Sequence, residues 1–394
     1  MASVTGTTIG RPNRRAGSRE ASAYRPPIMH NRRPVRRFYS RLVPVNTNNS
    51  ATFHMAELCR AQADLCAQLG SDLYVQVLRR CAEDVEAGGP VWDVLRDLAD
   101  CPADFYPALR LLGSVHRLVL TGQAPALAAH YPSVGGRPGP GLWDAFRGVV
   151  IDHAATLTTL VNNTPQTNEV GRAASFLGGF LKIANETGLP LRLLEVGASG
   201  GLNLNWDRYR YESGDWSWGD AGSTVRLTDI FVDRTPDSVP ATVVERLGCD
   251  LSPIDLRAKE GQLTLLSYLW PDQIARIERQ RAAIQIASNA QVHVERANAI
   301  DWVRQHLASP RAGMATVVFH SIVLSYFDDN ERRTFGEVLE DAGSRATADA
   351  PLAWLSLERS AGRFEVRLRS WPDGSERLLA VCGGHGLPVQ WLDS

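Results

Sequence analysis

Residues 191–204 constrain this chain more than any other stretch. They read Leu-Arg-Leu-Leu-Glu-Val-Gly-Ala-Ser-Gly-Gly-Leu-Asn-Leu. A short apolar run, Leu191–Val196, ends on an acid-containing pair, and small residues follow from Gly197 to Gly201. Such a run suits a strand buried on both faces of a parallel sheet. Glycine permits left-handed backbone angles, so the chain can turn sharply after the strand. A helix beginning beyond the turn presents free N–H groups that favour an anionic ligand group. Strand, turn and helix in this order point to an α/β fold with its ligand outside the carboxyl ends of the strands.

The spacing within the turn narrows the ligand class. Glu195-x-Gly197-x-Ser199-x-Gly201 follows the acid-x-Gly-x-Gly-x-Gly of S-adenosylmethionine sites, with Ser199 at the middle glycine. It fits Gly-x-Gly-x-x-Gly poorly, which disfavours a dinucleotide. The same residues match the Gly-x-Ser-x-Gly elbow of α/β-hydrolases, and Glu358 and His385 complete a Ser–acid–His order. Two features weigh against that reading. No strands are expected before the turn, and no His-Gly-Gly-Gly element precedes it. A tight turn without a ligand is the third alternative.

Residues 52–187 carry helical periodicity, with Leu58, Ala61, Leu65 and Leu69 in step and Ser71 or Asp72 placed to cap the next helix. The character changes at Gly188-Leu189-Pro190. Further strand candidates are Val225–Ile230, Val292–Arg296, Thr316–Phe319 and Leu352–Leu357, separated by helical stretches such as Ile274–Ile286 and Glu331–Ala342. Alternation of this kind implies right-handed crossovers and a parallel sheet. Phe364–Trp371 and Leu378–Cys382 flank Pro-Asp-Gly-Ser and read as an antiparallel hairpin. The expected fold is therefore α/β: a Rossmann-like, mostly parallel sheet with a C-terminal antiparallel hairpin, of the methyltransferase type, over 188–394. An all-helical domain over 52–187 precedes it.

Residues 1–51 form the third expected segment, a disordered basic tail. Residues 1–50 hold ten arginines and a single acid, Glu20, with no apolar period. The tail reads either as a basic arm or as an artefact of start-site choice, since Met55 opens the first clear amphipathic run. A chain with net charge −1 has no general attraction to nucleic acid or membrane. No apolar run approaches the ~20 residues of a membrane helix. The cysteines form no C-x-x-C pair, so core thiols in a reducing, bacterial cytoplasm are expected and no metal site is.

Several motifs outside the turn carry candidate chemistry. Asp250, in Gly248-Cys249-Asp250-Leu251-Ser252-Pro253, suits the ribose-binding acid that follows the second strand of methyltransferases, and Asp229 competes for that role. Asn298 falls where an adenine contact is expected. His320, with Ser321 and Tyr326, ends a strand and would face the transferred methyl group or its acceptor, His320 serving as general base. His116 and His153 lie in helices and read as packing or capping residues.

Together these motifs resemble the bacterial family DUF2332 over residues 55–392. Gln166-Thr167-Asn168-Glu169-Val170-Gly171-Arg172, the glycine turn, Trp206-Asp207-Arg208-Tyr209, the Gly248–Pro253 motif, Trp270-Pro271-Asp272-Gln273, His320-Ser321 and His385-Gly386 carry the resemblance. It implies a Rossmann methyltransferase-like fold and no established activity. Gln166, Asn168, Glu169 and Arg172 precede the first strand, where they would contact the amino-acid part of the cofactor or a small-molecule acceptor. Asp207 and Arg208 read as ligand groups or as an ion pair. The expected function is thus S-adenosylmethionine-dependent methyl transfer. Glu195, Gly197, Ser199, Gly201 and Asn203 would line the cofactor. A serine hydrolase and a non-catalytic binding protein are the alternatives.

Overall fold

A computed structural model describes residues 51–101, 105–290 and 292–393. The basic segment at 1–50 lies outside them. Seven helices come first: α1 (Ala51–Gln68), α2 (Asp72–Glu86), α3 (Pro90–Leu95), α4 (Pro107–Leu120), α5 (Pro125–Ala128), α6 (Leu142–Asp152) and α7 (Ala154–Leu160). Ser71 caps α2, accepting from the Tyr74 N–H. The buried stripe of α1 runs through Met55, Leu58, Cys59, Gln62 and Cys66, which leaves Leu65 37% exposed instead of in the core. Leu78, Leu111, Leu127 and Phe146 join this stripe in one apolar cluster drawn from residues 55–161, completed by Trp270 from far along the chain.

Helix α8 (Gly171–Thr187) packs differently: its apolar residues belong to the cluster of the sheet. Phe176 and Phe180 meet Phe319 edge-on, and Phe180 stacks on Trp206 at 4.5 Å. The sheet has eight strands. β1 (Leu191–Val196), β5 (Val243–Asp250), β6 (His293–Arg296), β7 (Ala315–Ser321) and β8 (Leu352–Ser360) are parallel. β9 (Arg363–Trp371), β10 (Ser375–Cys382) and β11 (Val389–Trp391) continue beyond β8 as an antiparallel meander. The order is β11-β10-β9-β8-β7-β1-β5-β6. Helices α9 (Lys259–Ser267), α10 (Ile274–Ala290), α11 (Ala299–His306) and α12 (Asp329–Gly343) lie in the crossovers.

The connection from β1 to β5 departs from expectation. No α-helix follows the glycine turn. A 3-10 segment, Asn203–Arg208, kinked at Asn205, leads instead into a small sheet of β2 (Arg210–Ser213), β3 (Trp216–Gly219) and β4 (Arg226–Leu227). The strand expected at Val225–Ile230 shrinks to those two residues and sits in the small sheet. The second parallel strand is β5. Its apolar run is interrupted by Glu245 and Arg246, which each find a partner on the sheet's faces: Arg192 Nε donates to Glu245 Oε2 at 2.8 Å, and Arg246 Nη2 to Asp207 Oδ2 at 2.7 Å. Among the described residues, no helix is long and apolar enough to cross a membrane.

Candidate functional site

The chain leaves β1 for β5 and β6 on one side, then returns on the other side for β7 and β8. The order therefore reverses between β1 and β7, and open α/β sheets bind ligands outside the carboxyl ends at such a point. Val196 pairs with His320 there, so the glycine turn and the segment after β7 emerge side by side. The stretch 164–172 covers them, through bonds from Gln166, Asn168 and Arg172.

The turn itself is held by the protein at every amide from Ala198 to Leu202. The Ala198 N–H donates to the Cys249 carbonyl at 3.0 Å, and that of Gly201 to Ala198 at 2.7 Å. The Ser199 N–H donates to Asp250 Oδ2 at 2.9 Å. Asn168 Oδ1 accepts from Gly200 and Leu202, at 3.2 and 3.0 Å. The Ser199 hydroxyl donates to Gln166 Oε1 at 2.9 Å. These bonds hold Ser199 at φ 53°, a left-handed conformation that costs a non-glycine residue of order 1–3 kcal/mol. The room beside the glycines is also filled. A β-carbon at Gly197 would lie 2.5 Å from Val323 Cγ2, and one at Gly201 2.7 Å from Val292 Cγ1. The turn does not present its donors and space to a ligand as the spacing implied; Gln166, Asn168, Asp250 and Val323 occupy them.

His320 also departs from expectation. It is fully buried, its Nδ1 lies 2.9 Å from Glu358 Oε1, and its Nε2 accepts from the Trp354 indole at 2.9 Å. The indole can only donate, so Nε2 is the acceptor and Nδ1 carries the proton. The basic nitrogen is thus engaged by the indole and not turned toward the turn, and Nδ1 ties His320 to Glu358, which also accepts from the Val323 and Leu324 amides at 2.8 and 3.1 Å. A Ser199–Glu358–His385 triad is therefore not assembled: the Ser199 hydroxyl faces Gln166, Glu358 faces His320, and His385 packs edge-on against Trp270.

The remaining expected residues divide cleanly. Asp250 ends β5 and staples two turns, accepting from Ser199 and from Ser252 at 2.8 Å. Asn298 is the N-cap of α11, bound to the Ile300 and Asp301 amides, and is not presented to the turn. Asp229 is exposed after β4, in the small sheet's connection toward β11. Asp207 pairs with Arg246 instead of lining the site, and Arg208 is exposed beside it. Tyr326, 70% exposed, lies on the 3-10 turn after β7. His116 is buried between the Ser267 carbonyl and Ser133 Oγ, and burial pushes its pKa down to about 4.

What the fold does bring together is a buried polar cluster on the α8 face. Phe319 pairs with Glu195, so Glu195 and Ser321 leave the same face of neighbouring strands one pleat apart. Arg172, in the first turn of α8, reaches Ser321 by two long bonds from Nη1, 3.3 Å to Oγ and 3.5 Å to the carbonyl. Its Nε is buried without a hydrogen-bond partner, and the carboxylates that act on its charge, Glu169 and Glu358, form no ion pair with it. Burial pushes the Glu195 carboxyl well above its usual range, with Asn203 beside it acting the other way. Glu195 Oε2 and Asn203 Oδ1 are likewise buried without partners. Glu169 is also buried. Burial opposes its charge, but Arg276 outweighs that and holds the carboxyl down at about 2. The sequence pattern did not single out Arg276, and it offered His385 as a triad member and as part of the His385-Gly386 motif. The Trp270–Gln273 motif, which runs into α10, was the available signal for Arg276. Among the described residues no group of three or more His, Cys, Asp or Glu side chains stands ready to hold a metal ion.

The family model described as an uncharacterized protein conserved in bacteria, DUF2332, matches residues 56–391. The chain belongs to this family. The match takes in the helices before the sheet as well as the sheet itself. In this DUF2332 chain, the Gln166–Arg172 stretch clamps the glycine turn through Gln166 and Asn168, and Trp270–Gln273 ties the start of α10 to α1 and α2. Asp272 accepts from Ser71 Oγ and the Leu73 N–H, and Gln273 Nε2 donates to the Leu69 carbonyl at 2.7 Å. No curated protein and no solved structure matches the chain.

Proposed function

We propose that this protein holds a small molecule over the carboxyl ends of β1 and β7, beneath the 164–172 segment. One observation carries the reading. Arg172 Nε, Glu195 Oε2 and Asn203 Oδ1 are buried, unpartnered polar atoms beside the reversal of strand order. Leaving a buried polar group unpaired costs about 1–3 kcal/mol, and three in one place favour a ligand that pairs with them.

Methyl transfer is the second reading, favoured by the parallel order β6-β5-β1-β7-β8 and by the acid Asp250 at the end of β5. A cleft of ≈ 500 Å³ between Gly200, Pro253–Arg257 and Val292–Val294 adds room nearby. The turn as folded does not fit S-adenosylmethionine in the manner its spacing implied, because its amides and glycine faces serve the protein. No reaction step is derived through that cofactor.

Thermal unfolding of the full chain with S-adenosylmethionine, S-adenosylhomocysteine and a library of polar metabolites tests both readings. A ligand at about 100 times its Kd stabilises by ~2.7 kcal/mol. Stabilisation that is lost in Arg172→Ala supports the site, and the identity of the active compound decides between the readings. No compound shifting the transition, or shifts indifferent to Arg172→Ala, would overturn the proposed site.

A further inference from the structure

The unpartnered atoms differ in kind, and the difference specifies a ligand. Arg172 Nε is a donor on a permanent cation; Glu195 Oε2 and Asn203 Oδ1 supply acceptor capacity. Arg172 is tethered over Ser321, one pleat beyond Glu195 on the same face. Asn203 lies beside Glu195. A guanidinium buried without a carboxylate partner is a strong site for a planar oxyanion, which it binds through paired N–H groups. Two acceptors on the adjoining strand and turn suit a cation with several N–H donors. An anion and a cation held on neighbouring strands describe one chemical unit.

We propose that the cluster binds the α-amino and α-carboxylate groups of an amino acid or amino-acid derivative, the carboxylate on Arg172 and the ammonium on Glu195 and Asn203. This deepens the small-molecule reading and rests on it. The arriving ammonium stabilises the ionised form of Glu195 and so lowers its affinity for a proton. Ser321 keeps the Arg172 guanidinium over the carboxylate position. Glu169, engaged by Arg276 and by the Gly171 amide, is a positioning residue for the first turn of α8.

The test is isothermal titration of the full chain with the twenty L-amino acids and with S-adenosylhomocysteine. Each binder is repeated as its N-acetyl and decarboxylated forms and in two buffers of different ionisation enthalpy. The expected result is binding that needs both charged groups, accompanied by proton release. In Glu195→Gln the proton release disappears and affinity falls at least tenfold. Asn203→Asp, which keeps the acceptor oxygens, retains binding. S-Adenosylhomocysteine binding alone assigns the group to a nucleoside-bearing ligand, and amino-acid binding to a free one. Equal affinity for N-acetyl or decarboxylated forms, or an unchanged Glu195→Gln, would overturn the inference. If a metabolite without an amino-acid group binds in an Arg172-dependent way, this inference fails while the small-molecule site stands. If no compound binds, both fail.

Discussion

Replacing Asn168 with alanine removes the single oxygen that accepts from both Gly200 and Leu202. The side chain is only 5% exposed, so water reaches the vacated position poorly. Each orphaned amide costs about 1–3 kcal/mol, and a water entering the small cavity can restore part of one bond. The expected loss is therefore about 2–4 kcal/mol. At 1.4 kcal/mol per tenfold, amide exchange at Gly200 and Leu202 should accelerate by roughly 30- to 700-fold, alongside a lower urea midpoint. Hydrogen exchange read by mass spectrometry on peptides spanning 196–204 gives the local number, and urea unfolding the global one. Thr167→Ala, at the exposed neighbouring residue, is the control and should change stability by less than about 0.5 kcal/mol. A loss below about 0.5 kcal/mol in Asn168→Ala, with exchange at the turn unchanged, would refute the view that this residue clamps it.

Other outcomes follow from the same contacts. Glu169→Gln breaks a buried ion pair and should cost about 3 kcal/mol at pH 7. Because the folded carboxyl is held at about 2, that advantage is complete above the unfolded pKa near 4.5 and fades as pH falls toward 2; wild-type and variant urea midpoints should converge over that window. Trp354→Phe removes the donor to His320 Nε2 and should lower stability by about 1 kcal/mol, read as a shift in the urea midpoint. Asp272→Ala uncaps α2 and should lower stability by about 1–2 kcal/mol in the same assay. Burial pushes the Cys59 and Cys66 thiols up to about 12, so mass spectrometry after iodoacetamide at pH 8 should find them unmodified in the native chain and alkylated in urea.

The sequence exposed the parts of this fold that rest on short-range pattern. The run Leu191–Val196 is apolar throughout and forms β1; the hairpin around Pro372–Ser375 has its turn chemistry in plain view and forms β9 and β10. β5 escaped because Glu245 and Arg246 break its pattern, and their partners Arg192 and Asp207 come from distant segments. The glycines of the turn were visible, but their purpose was not. Glycine admits a ligand or a neighbouring side chain equally well, and only the fold shows Val323 filling the space beside Gly197. The partners of His320 were hidden for a related reason. A histidine at a strand's carboxyl end suits catalysis until an indole is found on its basic nitrogen. Gln166, Asn168 and Arg172 were placed near the turn by their position before β1; the fold bonds Gln166 and Asn168 to the turn and Arg172 to Ser321 at the end of β7.

Trp270 has a consequence for synthesis. The apolar cluster of the first seven helices draws its members from residues 55–161 and then waits for this indole, more than a hundred residues later. At about 5–20 residues per second, ribosomes leave that gap open for roughly 5–20 s. During that interval the helices are complete in sequence, yet a socket in their core faces water. The newborn chain therefore passes through a stage in which the apolar surface that Trp270 later covers is uncovered.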